Sequence, residues 1–192
     1  MKAKSIHCIA ALGLGLALGQ AADPVRERVA KGVATELPLL VSLYKHFHAN
    51  PELSFMEVET AKRLAAELRA AGLTVTTGIG GHGIVGILKN GPGPTLLIRV
   101  DMDGLPVQVE TGLPYASKKQ MVDEQGNTVY TMHACGHDVH ITSFVGTARM
   151  LGQLRDQWSG TLVMIGQPAE ERGAGARAML ADGLFERWPV PD

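Results

Sequence analysis

Thr95-Leu96-Leu97-Ile98-Arg99-Val100-Asp101-Met102-Asp103 is a nearly unbroken apolar run that empties into two carboxylates. Such a run reads as a buried central strand, because alternation is lost where both faces of a sheet are covered. Thr161–Ile165 repeats the pattern and empties into Gln167-Pro168-Ala169-Glu170-Glu171. Shorter strand signals precede them at Leu73–Thr77 and Gly83–Lys89, with a turn at Gly91-Pro92-Gly93-Pro94. Helical patterns flank these strands, and the alternation predicts an α/β layered fold with a largely parallel central sheet. Parallel strands bring their C-terminal ends to one edge, where open α/β sheets place their sites. Asp101, Asp103, Glu170 and Glu171 all sit just past such ends.

The helices carry their own punctuation. Asp23-Pro24 is a good start, with Asp as N-cap and Pro at the first helical position, for a helix running to about Phe47 and strained near Pro38. Ser54 and Glu57 have capping-box spacing, and Leu53 with Val58 occupy staple positions, ahead of Ala61, Leu64, Ala65 and Leu68 at helical spacing. Ile141 to about Leu154 carries Phe144, Val145, Ala148 and Leu151 on one stripe, and a further helix spans about Ala174–Ala181. Residues 113–131 are polar and predict a hairpin-like excursion around Gln125-Gly126-Asn127.

The chemistry concentrates in His133-Ala134-Cys135-Gly136-His137-Asp138-Val139-His140. Thiolate and neutral imidazole suit zinc or a neighbouring first-row metal better than magnesium or calcium. Gly136 lets the backbone turn so that Cys135 and His137 both point inward, and the N-terminus of the next helix favours a thiolate. A lone cysteine is commonly a buried, inert thiol, but the adjacent histidines shift the reading toward a metal. Of the paired glutamates one can bind the ion and the other act as a base on water. A solvated pair capping the following helix is the plainer alternative for them. Asp101 and Asp103 should face opposite ways if strand geometry continues, so at most one reaches the site easily. A carboxylate there can hold a ligand histidine by its other N–H.

Composition narrows the classes. The 192 residues are 45% hydrophobic with a net charge of −1, and no basic block with interleaved aromatics points to nucleic acid. Residues 1–21 read as a secretory signal: Lys2 and Lys4, an apolar run over Cys8–Gly19, and small residues at Gly19 and Ala21. That run falls short of the ~20 residues that span a bilayer, so no stable membrane anchor is expected. Export to the periplasm or medium follows. Removal of the signal takes Cys8 with it, leaving Cys135 without an internal disulfide partner and without a resolving thiol for redox chemistry.

Four stretches together resemble the metal-dependent amidohydrolases, the group of hippurate hydrolases, N-acyl-amino-acid hydrolases and auxin-conjugate hydrolases. They are Phe47–Ser54, Arg99–Pro106, Met132–His140 and Gln167–Glu171, and the similarity runs from about Ala34 to Leu184. The resemblance implies a three-layer zinc-peptidase-like catalytic domain, of which residues 22–192 would be the N-terminal part. It implies two divalent ions (manganese, zinc, nickel or cobalt) and a small N-acyl-amino-acid substrate. Members are often homo-oligomeric. Carried over by position, Cys135, His137 and Glu171 would be metal ligands, Glu170 the general base, and Asp101 the carboxylate that orients a ligand. Asp103, Asp138 and His140 receive no firm role, and His46 and His48 read as structural. Members are about twice as long, with a lid or dimerisation domain and two further ligand histidines beyond this chain. It is therefore expected either to be a truncated hydrolase, inactive by itself, or to be a non-catalytic metal-binding or interaction fragment.

Overall fold

The computed structural model describes residues 23–192; the expected signal at residues 1–21 lies outside them. Helix α1 (Pro24–Ala49) begins where Asp23 accepts the Val25 amide at 3.0 Å, with Pro38 inside it. Helix α2 (Val58–Ala70) leads into strands β1 (Thr74–Ile79), β2 (Gly83–Asn90) and β3 (Thr95–Asp101). The hairpin β4 (Gln120–Val122) and β5 (Thr128–Tyr130) is the polar excursion expected there. Helix α3 (His137–Gln153), strand β6 (Gly160–Gln167) and the short helices α4 (Gly175–Ala181) and α5 (Leu184–Arg187) complete the chain. No helix among the described residues is long and apolar enough to cross a membrane.

The four-stranded sheet has the order β1-β2-β6-β3. It is mixed, where a largely parallel sheet was expected: β3 pairs β6 in parallel, but β1–β2 and β2–β6 are antiparallel. The cause is the short connection at residues 80–82, since a tight turn can only return the chain antiparallel. The parallel pair is the one that matters for the site, because Asp101 sits opposite Gln167 at the C-terminal ends of both strands.

Layering follows from β6. Leu162 and Met164 pack with Leu64, Leu68, Ile141 and Val145 on one face, beneath α1–α3. Val163 and Ile165 pack with Met179 and Leu184 on the other, beneath α4 and α5. β6 is thus the strand buried on both faces. β3, expected to be central, is an edge strand among the described residues, with Leu96 58% exposed and only Val100 and Asp101 buried.

The anticipated capping box does not form. Glu57 is the N-cap residue of α2 but makes no side-chain cap, Ser54 bonds elsewhere, and Val58 at 52% exposure cannot staple Leu53. The first helical amides are served instead by Glu52, which accepts from Thr60 at 2.8 Å. Ser54 and Glu57 are recruited by the sheet edge.

Candidate metal centre

The site lies where three connections meet: residues 101–104 after β3, residues 133–137 before α3, and residues 168–171 after β6. Asp103 organises all three. It is 0% exposed, and its carboxylate accepts the Glu170 amide at 3.0 Å, the Glu171 amide at 3.1 Å and the Ser54 hydroxyl at 2.5 Å. Its carbonyl faces Nδ1 of His133 at 3.1 Å and Nδ1 of His137 at 2.7 Å. β3 ends at Asp101, so strict alternation stops there and both aspartates reach the site. Sequence reasoning gave Asp103 no firm role; its Ser54 partner was hidden by a helix-capping pattern.

Donation from His137 Nδ1 to that carbonyl sets the tautomer and aims Nε2 at the acidic groups. Nε2 lies 3.6 Å from Glu170 Oε2, 3.8 Å from Glu171 Oε1 and 3.7 Å from Asp101 Oδ2. These separations are long for hydrogen bonds. They match the roughly 3–4 Å between ligand atoms that share an ion at about 2.0–2.2 Å. Two overlapping groups result, His137–Glu170–Glu171 and Asp101–His137–His140. Cys135 belongs to neither group: its thiol, expected to point inward, is exposed, and it lies beside Glu171 at the rim. Gly136, at φ 76°, supplies the left-handed step between Cys135 and His137. Gly175 is needed because a Cβ there would meet the Pro168 carbonyl at 1.6 Å, so α4 backs directly onto the glutamate turn.

The electrostatics call for positive charge. Burial alone would lower the His137 pKa, but the Asp103 hydrogen bond and the Asp101 charge raise it to about 9. Burial would raise Asp101 and Asp103, yet histidine contacts outweigh it and both fall below the usual carboxylate range. The Cys135 thiol is pushed up, first by Glu171 and then by burial, so the carboxylates oppose the thiolate that the helix terminus was expected to favour. Burial drives His133 down to about 4, leaving that ring neutral near pH 7. An imidazole oriented by the Asp103 carbonyl and two carboxylates form an N/O donor set that fits a first-row divalent ion, with the exposed Cys135 thiol at its rim.

Asp101 was expected to orient a ligand. It accepts from His140 Nδ1 at 2.8 Å and from Arg99 at 3.0 Å, and the atom that holds His137 is the Asp103 carbonyl. His140, 54% exposed, stacks on His137 with ring centroids 5.6 Å apart. His48, by contrast, is buried away from this cluster and pairs with Asp138 at 2.7 Å, tying α1 to the first turn of α3. His46 stays at the surface end of α1, its carbonyl accepting from the Asn50 amide side chain.

Comparison with known proteins agrees with this corner. The signature of peptidase family M20/M25/M40 matches residues 97–191. The chain is 46% identical over 142 residues to the hippurate hydrolase of Campylobacter jejuni, covering 73% of this chain and 34% of that protein. It is 42% identical over 152 residues to the N-acetylcysteine deacetylase of Bacillus subtilis, covering 76% and 37%. Among solved structures, the Bacillus subtilis YXEP protein, described as a dinuclear metal binding peptidase from the M20 family, superposes with a TM-score of 0.70. It is 38% identical, over 79% of this chain and 40% of that one. The chain belongs to the M20 peptidase family. It spans about a third of the length of the curated relatives it matches.

Proposed function

We propose that this chain supplies the Cys-His-Glu portion of a dinuclear metal centre in an amidohydrolase that cleaves the amide bond of small N-acyl amino acids. The supporting observation is the convergence of Glu170, Glu171 and Asp101 on Nε2 of His137, from segments that only the fold brings together, with Cys135 beside Glu171 at the rim. Relatives named hippurate hydrolase and N-acetylcysteine deacetylase favour an acyl–amino-acid substrate. The sulfur- and nitrogen-containing donor set favours manganese, zinc, nickel or cobalt over magnesium or calcium.

In this reading Cys135, His137 and Glu171 hold the ions, with His137 oriented by the Asp103 carbonyl. When bound, divalent ions supply Lewis acidity, polarising the amide carbonyl and bringing the pKa of water toward ~7. Glu170 is the more exposed of the paired glutamates and faces the same space. Its Oε2 takes the proton of the attacking water and returns it to the departing amine nitrogen, so the C–N bond breaks to a carboxylic acid and a free amino acid. Asp101 positions His140 at the rim. Residues 1–21 direct the product out of the cytoplasm, which N-terminal sequencing of the exported chain would check.

Manganese binding and hippurate hydrolysis test the assignments separately. Glu170→Gln should bind Mn2+ like wild type and, in a protein that also carries the two further ligand histidines, turn over at least ~100-fold more slowly. Cys135→Ser and Glu171→Gln should lose metal. Unchanged turnover in the first removes the base, and unchanged stoichiometry in the others removes the ligands.

A further inference from the structure

Glu57 is fully buried, caps nothing on its own helix and has no ion-pair partner among the described residues. Its side chain crosses to the far connection, where Oε1 accepts the Ala169 amide at 2.7 Å, while Oε2 has no hydrogen-bond partner among the described residues. Ala169 has φ 47°, a left-handed conformation unfavourable for a residue with a Cβ, and it is completely buried. The next two amides, of Glu170 and Glu171, are held by the two oxygens of Asp103. Three consecutive N–H groups are therefore gripped by two buried carboxyls, one from α2's N-terminus and one from the end of β3. Pro168 is pressed against Gly175 from behind, so the turn has little room to relax.

We propose that Glu57 is a positioning residue of the metal centre: by accepting the Ala169 amide it fixes the left-handed turn that presents Glu170 and Glu171 to His137. The inference rests on the metal-centre reading above. A helix-capping role is excluded, since α2 has no side-chain cap hydrogen bond and the carboxyl bonds instead to a residue 112 positions along the chain. A purely apolar filler is excluded as well, because a hydrocarbon of the same size would leave the Ala169 amide buried without an acceptor. Burial pushes the Glu57 carboxyl up to about 7, aided by the neighbouring Asp103 charge. Near neutral pH the group is therefore in large part a neutral acid, which an amide can imitate.

That similarity makes the test selective. Mn2+ affinity is measured by titration calorimetry on the 192-residue chain for wild type, Glu57→Gln, Glu57→Asp, Glu57→Leu and Glu171→Gln. Glutamine keeps the acceptor and should bind as wild type does. Aspartate withdraws the oxygen by one methylene and leucine removes it, and both should weaken binding on the order of 10-fold, as loss of a ligand's supporting partner does. Should the leucine variant fail to fold, the aspartate variant carries the same test. Thermal unfolding followed by circular dichroism separates the alternatives, because a merely structural role lowers the midpoint without changing the affinity of the folded protein. Aspartate and leucine variants that bind like wild type overturn the proposal alone, as does a glutamine variant as weak as leucine. Wild type binding no better than Glu171→Gln overturns the metal-centre reading, and the proposal with it.

Discussion

Two polar connections of this chain contrast sharply, the corner built from residues 101–104, 133–137 and 168–171, and the β4–β5 hairpin. In the hairpin, Asp123 satisfies the amides of Gln125 and Asn127, two and four residues away. Every one of those bonds is exposed and local. In the corner, Asp103 bonds to Ser54, Glu170 and Glu171 across 49, 67 and 68 residues, and Glu57 to Ala169 across 112. Buried polar groups at long separation are costly unless fully satisfied. The corner has a purpose beyond joining elements, since a connection can be made with local bonds alone.

The sharpest way to break that contrast is to remove its hub. Asp103→Ala strands two part-buried backbone amides and the buried Ser54 hydroxyl, so urea denaturation should show a loss of about 3–5 kcal/mol, as when one member of a buried charged network is deleted. Mn2+ affinity should fall along with it, because both the histidine and the glutamate segments lose their common anchor. A loss below about 1 kcal/mol would mean the corner is no more demanding than a surface turn.

The same contrast explains what the sequence could disclose. The strands ending at Asp101 and Gln167, the start of α1 at Asp23 and the excursion around Gln125-Gly126-Asn127 are local patterns, and all four were legible. The mixed sheet was not, because apolar runs carry no strand direction; only the length of the 80–82 turn hinted at a hairpin. Ser54 and Glu57 misled because capping-box spacing is a local signal and their partners are distant. Asp103 was noticed but given no firm role, because its value lies in whom its carboxylate and carbonyl meet, which is decided by β3 ending one residue before Met102. Cys135, His137, Glu170 and Glu171 were singled out because their chemistry is unusual at close spacing, and spatial convergence adds the orientation that spacing lacks.

A second expected effect is pH-dependent. Glu57 titrates near 7 when folded and near 4.5 as a free side chain, so the folded state holds its proton more tightly. The stability it contributes is complete below about pH 4.5 and is lost as pH rises toward 7, because over that interval the native state binds the extra proton. The size is on the order of 3 kcal/mol, at 1.36 kcal/mol per pH unit of difference. Glu57→Gln cannot titrate. Its unfolding free energy should therefore gain on wild type as pH is raised across this window, measured by urea denaturation at matched ionic strength. Parallel curves would show that Glu57 stays ionised in the fold, and that the corner tolerates a buried charge its geometry gives no cation.

The smallest effect belongs to the hairpin, and it is the control that gives the others meaning. Asp123 is surrounded by water, and each bond it makes to Gln125 and Asn127 can be replaced by solvent when the side chain is cut back. Asp123→Ala should thus cost the least of these changes in urea denaturation, as loss of an exposed turn bond usually does. It should leave Mn2+ affinity unchanged, since no bond of Asp123 reaches Asp103, His137 or the glutamates, and the turn's long-range tie, the Glu124–Arg172 ion pair, does not involve it. If affinity fell with Asp123, the two connections would be energetically coupled, through the Glu124–Arg172 ion pair or through the segment 131–133, where Thr131 bonds both Lys119 and Pro51. The corner would then extend into the excursion, and the division between a local turn and a long-range site would have to be redrawn at Thr131.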